Sequence, residues 1–146
     1  MIFISHRGNL HGPNKFDENK PDYVLDAAKK KFDVEVDIWF WKNSFYLGHD
    51  KPLYKITKKF ILNKKFWFHA KNIEALQELV NNKAHCFWHQ TDDVVLTSKG
   101  YLWTFPGKKL KKKSICVLPE LNKKNNLKIC SGICSDFIVK YKNAKN

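Results

Sequence analysis

Short apolar runs rich in aromatic and branched side chains recur roughly every twenty residues along this chain, and stretches of helical periodicity separate the early ones. The runs are Ile2 to Ser5, Val34 to Phe40, Phe45 to Leu47, Phe66 to His69, Cys86 to His89, Tyr101 to Phe105, Ile115 to Leu118 and Ile129 to Ser135, and each reads as a buried strand. Pro21 suits a first helical position, and the segment to Lys31 then sets Val24, Leu25, Ala27 and Ala28 on one side. Asn72 can cap a second helix carrying Ile73, Leu76, Leu79 and Val80 at three- and four-residue spacing. A third is expected from about Tyr54 to Leu62, while later connections are too short for full helices. Alternating strands and helices indicate a parallel sheet. A full eight-unit barrel needs at least about 200 residues, and this chain has 146. The expected fold is therefore α/β, a compact, reduced (β/α) TIM-type barrel with few or short helices in its second half. Wall left bare there would need a cover, which association into a homo-oligomer would supply.

An apolar fraction of 43% allows one substantial core, so a single domain is expected over residues 1–140, followed by a polar tail at 141–146. No stretch approaches about 18 uninterrupted apolar residues, and Met1 to Ile4 runs straight into Ser5-His6-Arg7. Neither a membrane span nor a secretory signal is expected, and a cytoplasmic location follows. Cys86, Cys116, Cys130 and Cys134 sit in or beside apolar runs without paired Cys-x-x-Cys spacing, which reads as buried, reduced thiols.

The net charge of +13 comes from 27 basic residues, of which Arg7 is the only arginine. Such a field concentrates anions, whether nucleic acid, anionic lipid or phosphorylated small molecules, and does not choose between them. Arg7 is more telling, because a planar guanidinium grips a phosphate with two parallel hydrogen bonds that an ammonium cannot copy. It stands immediately beside His6 at the end of the first run, with Gly8 letting the backbone turn away.

Alternation along the second run puts Asp33, Glu35, Asp37 and Trp39 on one face and Val34, Val36, Ile38 and Phe40 on the other. The apolar face must meet helices. The acids then point to the other side, which in an ordinary surface strand is water. A second strand-terminal histidine, His49, follows Gly48, and the fourth run leads to His69 and Lys71 on a common face. C-terminal strand ends form the ligand rim in parallel α/β folds, so these groups are expected to converge. Glu35 and Asp37 offer two oxygen ligands to a hard divalent cation, and paired imidazoles can accept and donate protons near neutrality. His89, Asp92, Trp103 and Glu120 lie near later strand ends and could fill the same mouth. Trp39 and Trp103 could line it or pack in the core, and His11 and His85 read as ordinary surface or loop histidines.

Ser5-His6-Arg7-Gly8, Glu18-Asn19, Val34-Glu35-Val36-Asp37, Gly48-His49-Asp50 and Ser131-Gly132-Ile133-Cys134-Ser135-Asp136, in that order, resemble the glycerophosphodiester phosphodiesterase family within the phospholipase C-like barrels. The resemblance covers the first 50 residues well and the rest thinly. It implies a small phosphodiester substrate, with His6 and His49 as general acid and base, Glu35 and Asp37 on the metal, and Arg7 and Lys71 on the phosphate. The family's further carboxylate on the third strand is replaced by His69. An imidazole as third ligand shifts the metal from Mg²⁺ or Ca²⁺ toward Mn²⁺ or Zn²⁺. The family's insertion after the second histidine is missing. Other readings are a lyase that only cyclises its substrate, like the related spider-venom phospholipases D, a basic module binding nucleic acid or anionic membrane on a degenerate barrel, and a subunit of a larger assembly.

Overall fold

A computed structural model describes residues 1–122 and 126–144. Its strands are β1 (Ile2–His6), β2 (Asp33–Trp41), β3 (Ser44–Leu47), β4 (Tyr54–Ile56), β5 (Phe66–Ala70), β6 (Cys86–Phe87), β7 (Val94–Leu96), β8 (Leu102–Thr104), β9 (Ser114–Val117) and β10 (Gly132–Ser135). The helices among the described residues are α1 (Pro21–Lys29), α2 (Ile73–Asn81) and α3 (Ile138–Asn143), with short 3₁₀ turns at Phe60–Leu62 and Pro119–Leu121.

All the strands belong to one sheet. A parallel run crosses it in the order β6-β5-β2-β1-β10-β9-β8, with His6 opposite Glu35 and Asp37 opposite His69. β7 adds antiparallel to β8. β2 is long enough for its upper half to pair with β3, which pairs in turn with β4, both antiparallel. The sheet curls: the Phe87 ring on β6 lies 4.4 Å from the Trp103 ring on β8, and the Cys86 carbonyl accepts from the Ser98 N–H at 2.8 Å. The chain is thus mixed α/β with a curled sheet and few helices.

Burial on both faces follows from the alternation. Val34, Val36 and Ile38 pack outward with Val24, Ala27 and Ala28 of α1 and Ala75 and Leu79 of α2. Inside the curl, Ile4, Trp67, Phe87, Trp103, Ile115, Val117 and Cys134 form a second cluster. The bare outer wall expected in the second half has cover within the chain. Loop residues Leu110 and Leu127, with buried Cys130, pack against the same outward cluster as Cys116 of β9.

α1 begins at Pro21 and α2 at its cap Asn72, whose side chain accepts from the Ala75 N–H. Ile73 and Val80, expected on the apolar stripe, are instead exposed. The helix expected near Tyr54 to Leu62 is replaced by β4 and a 3₁₀ turn, because β3 offers an open ladder to the Tyr54–Ile56 segment. The last strand is shorter than expected, with 129–131 outside it, and β7 is an additional strand between the expected ones. The polar tail gives way at its start to α3, with Tyr141 packed on the core; residues 145–146 of it lie outside the described residues. All four cysteines are buried, and none forms a disulfide among the described residues. No helix among the described residues is long and apolar enough to cross a membrane.

Candidate active site

The C-terminal ends of β1, β2, β5, β8 and β9 surround a cavity of about 390 Å³. His6, Arg7, Glu35, His49, His69 and Lys71 all line it, so the polar groups separated in sequence do share one mouth. Arg7 and His49 also border a neighbouring cavity of about 410 Å³ with Lys15, Lys51 and Tyr54.

Backbone chemistry sets the first turn. Arg7 adopts φ +53° and Gly8 φ +94°, and a Cβ on Gly8 would lie 2.5 Å from the Tyr23 ring. The sharp turn leaves the His6 ring pointing inward, where its Nδ1–H donates to Asp136 Oδ1 at 2.7 Å and its Nε2 lies 3.9 Å from Glu35 Oε2. Burial alone would lower the His6 pKa, but the hydrogen bond to Asp136 and the charge of Glu35 outweigh it and raise the pKa. Asp136 moves the opposite way, since the His6 hydrogen bond and charge overcome the upward pull of burial. Glu120 fixes Asp136 from behind by accepting from its backbone N–H at 3.0 Å and from the Ser135 hydroxyl at 2.9 Å. Asn9 donates to both Asp136 and Glu18.

Asp37 is fully buried. Asn19 brackets it, donating from Nδ2 to Oδ2 and accepting the Asp37 N–H, both at 2.9 Å. Arg7 Nε stands 3.0 Å from the same Oδ2, and Arg7 Nη1 donates to Glu18. Asp37 Oδ1 faces His69 Nδ1 at 3.0 Å and Lys71 Nζ at 3.6 Å without a hydrogen bond of adequate alignment. His69 Nε2–H donates to the His89 carbonyl at 2.8 Å, which leaves Nδ1 as the free nitrogen toward the acids. Burial and the neighbouring Asp37 charge raise the Glu35 pKa. Burial would raise that of Asp37 too, but His69, Arg7 and Lys71 drive it below the usual carboxylate range.

Single ligand atoms of Glu35, Asp37 and His69 lie within 4.8 Å of one another. A buried carboxylate oxygen without an aligned hydrogen bond, next to a second carboxylate and the Nδ1 of an imidazole, is a ligand set that a divalent cation fits. The residues present therefore suit the metal that the sequence implies.

His49 is less enclosed, its side chain 42% exposed, with Nδ1 2.6 Å from Asp50 Oδ1. It is placed by Gly48, whose carbonyl accepts from Trp39 Nε1 at 2.7 Å. Trp39 thus anchors this turn instead of lining the cavity, whereas Trp103 is both interior core and cavity lining. His89 lines the mouth with Phe105 and Leu121; His11 is exposed, and the His85 ring lies tilted against Trp67, 3.9 Å between centroids, outside the cavity lining. Asp136, Glu120, Asn9 and Asn19 carry positioning roles that the sequence reading did not assign. Asn19 and Asp136 stand inside the stretches that carry the family resemblance, which was the available signal.

Compared with known proteins, this chain matches no family model, no curated protein and no solved structure.

Proposed function

We propose that this chain is a small metal-dependent phosphodiesterase on a reduced (β/α) barrel, similar in its chemistry to the glycerophosphodiester phosphodiesterases. The observation that carries the reading is the convergence of His6, Arg7, Glu35, His49, His69 and Lys71 on one cavity.

His6, with Nδ1 committed to Asp136, presents Nε2 to the cavity as a proton acceptor for an attacking hydroxyl. His49, steadied through Nδ1 by Asp50, presents Nε2 as the donor to a leaving alcohol. Arg7 and Lys71 supply the positive charge that holds a phosphodiester between the two rings. Glu35, Asp37 and His69 would hold a divalent cation, which when bound offsets phosphate charge and sharpens the attacking oxygen. An imidazole in that set favours Mn²⁺ or Zn²⁺ over a purely oxygen-liganded ion.

The test is a screen of phosphodiesters, from chromogenic esters to glycerophospho compounds, with added Mn²⁺, Mg²⁺, Ca²⁺ or Zn²⁺ and a chelator control. Turnover that chelation stops reversibly, and that His6→Ala and His49→Ala each abolish while the circular dichroism spectrum is retained, is expected. Turnover unchanged in both variants would overturn the assignment.

A further inference from the structure

Charge is divided unequally between the two ends of the sheet. Because β1, β2, β5, β6, β8, β9 and β10 run parallel, the loops that enter these strands lie at the end opposite the cavity. Lys30 and Lys31 lead into β2, Lys64 and Lys65 into β5, and Lys83 into β6. Lys99 leads into β8, Lys111 to Lys113 into β9, and Lys128 toward β10. All are exposed except Lys65, which is half-buried and 3.7 Å from Asp33. Acids at this end are few: Asp33 opens β2, and Asp26 in the last turn of α1 pairs with Lys29 at 2.9 Å.

The cavity end is different. There Lys20 pairs with Asp17 at 2.7 Å, Lys108 with Asp93 at 2.7 Å, and Lys71 lies 3.6 Å from Asp37. A lysine-rich composition accounts for cations at both ends, but not for so uneven a division of the acids.

Between the entries to β5, β6 and β8 the basic end is indented by a cavity lined by Lys64, Lys83, Lys99 and His85, with Leu62 at its wall. Leu62 is 57% exposed, and Ile129, beside Lys128, is 49% exposed. The strongly exposed aromatic side chains, Phe16, Trp41 and Phe105, lie elsewhere.

We propose that this lysine-rich end is a docking surface for an anionic phospholipid bilayer. Ammonium groups on flexible stems are attracted diffusely by a negative surface, and two apolar side chains among them can enter the headgroup layer. Among the described residues of this end, nucleobases would find no strongly exposed aromatic ring on which to stack. Attachment is peripheral, since no described helix can cross a membrane. Docked in this way, the cavity opens away from the lipid, and its ligand arrives from water.

The proposal stands apart from any catalytic activity and is tested without it. The full chain is sedimented with phosphatidylcholine vesicles with and without phosphatidylserine, and the variant Lys64→Glu/Lys83→Glu/Lys99→Glu is compared with Lys15→Glu/Lys42→Glu/Lys55→Glu, an identical charge change on exposed lysines before α1, in the β2–β3 turn and on β4. Binding only to vesicles with phosphatidylserine is expected, weakened at least about tenfold in the first variant and little in the second, and reversed by salt. Leu62→Ser with Ile129→Ser should weaken it further. Equal losses in both triple variants would reduce the effect to net charge and overturn the docking surface. So would absence of vesicle binding, or tighter binding to a short RNA duplex that displaces the vesicles.

Discussion

The ring of His6 donates from Nδ1 to Asp136 at 2.7 Å across a separation of 130 residues, joining the first strand of the sheet to the residue just past the last. This contact decides which ring nitrogen faces the cavity; Asn9 donates to the same carboxylate and Glu120 accepts from the Asp136 backbone N–H.

Asp136→Asn keeps the volume but removes the charge that orients and stabilises the imidazolium. On the proposed chemistry, kcat should fall by about 100-fold with KM little changed. Glu120→Gln should show the same pattern more weakly. Steady-state kinetics on a substrate found in the screen check this, and a fall confined to KM would contradict it.

Metal binding should be visible without any substrate. Asp37 Oδ1 lacks an aligned donor while Glu35 and His69 stand close by, so a cation that binds only the folded chain stabilises it. Adding Mn²⁺ at about 100 times its Kd should stabilise the fold by about 2.7 kcal/mol and raise the Tm by several degrees. Excess chelator should reverse the shift and Asp37→Asn should remove it. An equal shift in Asp37→Asn would place the ion elsewhere.

Gly48 sits at φ +144°, and a Cβ there would collide with the Lys51 carbonyl oxygen. Gly48→Ala should therefore cost about 1–3 kcal/mol through backbone strain. It should also disturb the turn that presents His49, lowering kcat. Denaturant unfolding reads the first effect. Steady-state kinetics read the second, as a fall in kcat with the fold retained; an unchanged kcat would separate the turn from turnover.

His85 gives the fold a dependence on acid. Burial, then the Lys99 charge, hold its pKa at about 4 against an ordinary 6.5, so the unfolded chain takes up this proton first. Its contribution is absent above pH 6.5 and destabilises progressively as the pH falls toward 4. His85→Gln should lose less stability than the natural chain between pH 7 and pH 4, measured by urea unfolding. Parallel losses in both proteins would remove His85 as the cause.

Much of this arrangement is legible from local pattern. Period-two alternation in β2 separates Glu35 and Asp37 from Val34, Val36 and Ile38, and the two faces do meet different cores. Asn72 announces its helix because capping is a contact over three residues. What pattern does not reveal depends on partners distant along the chain. Tyr54 to Leu62 has enough apolar residues for a helix, and only the free edge of β3 makes Tyr54–Ile56 a strand. Val94–Leu96 is too short to carry a period and exists because β8 pairs with it. The bracketing of Asp37 by Asn19 is likewise invisible until β1 and β2 lie side by side.

The aromatic plug made by Trp67, Phe87 and Trp103 fills the curl directly beneath the polar groups. Nothing can thread down the axis of the molecule past those rings. On the proposed chemistry a phosphoester would lie across the rim, bringing a single esterified phosphorus into reach while any long substituent trails outside. The same indoles that give the interior its bulk thus set how deep a guest can go, and replacing Trp103 with a smaller side chain would lower the floor and loosen the fold together.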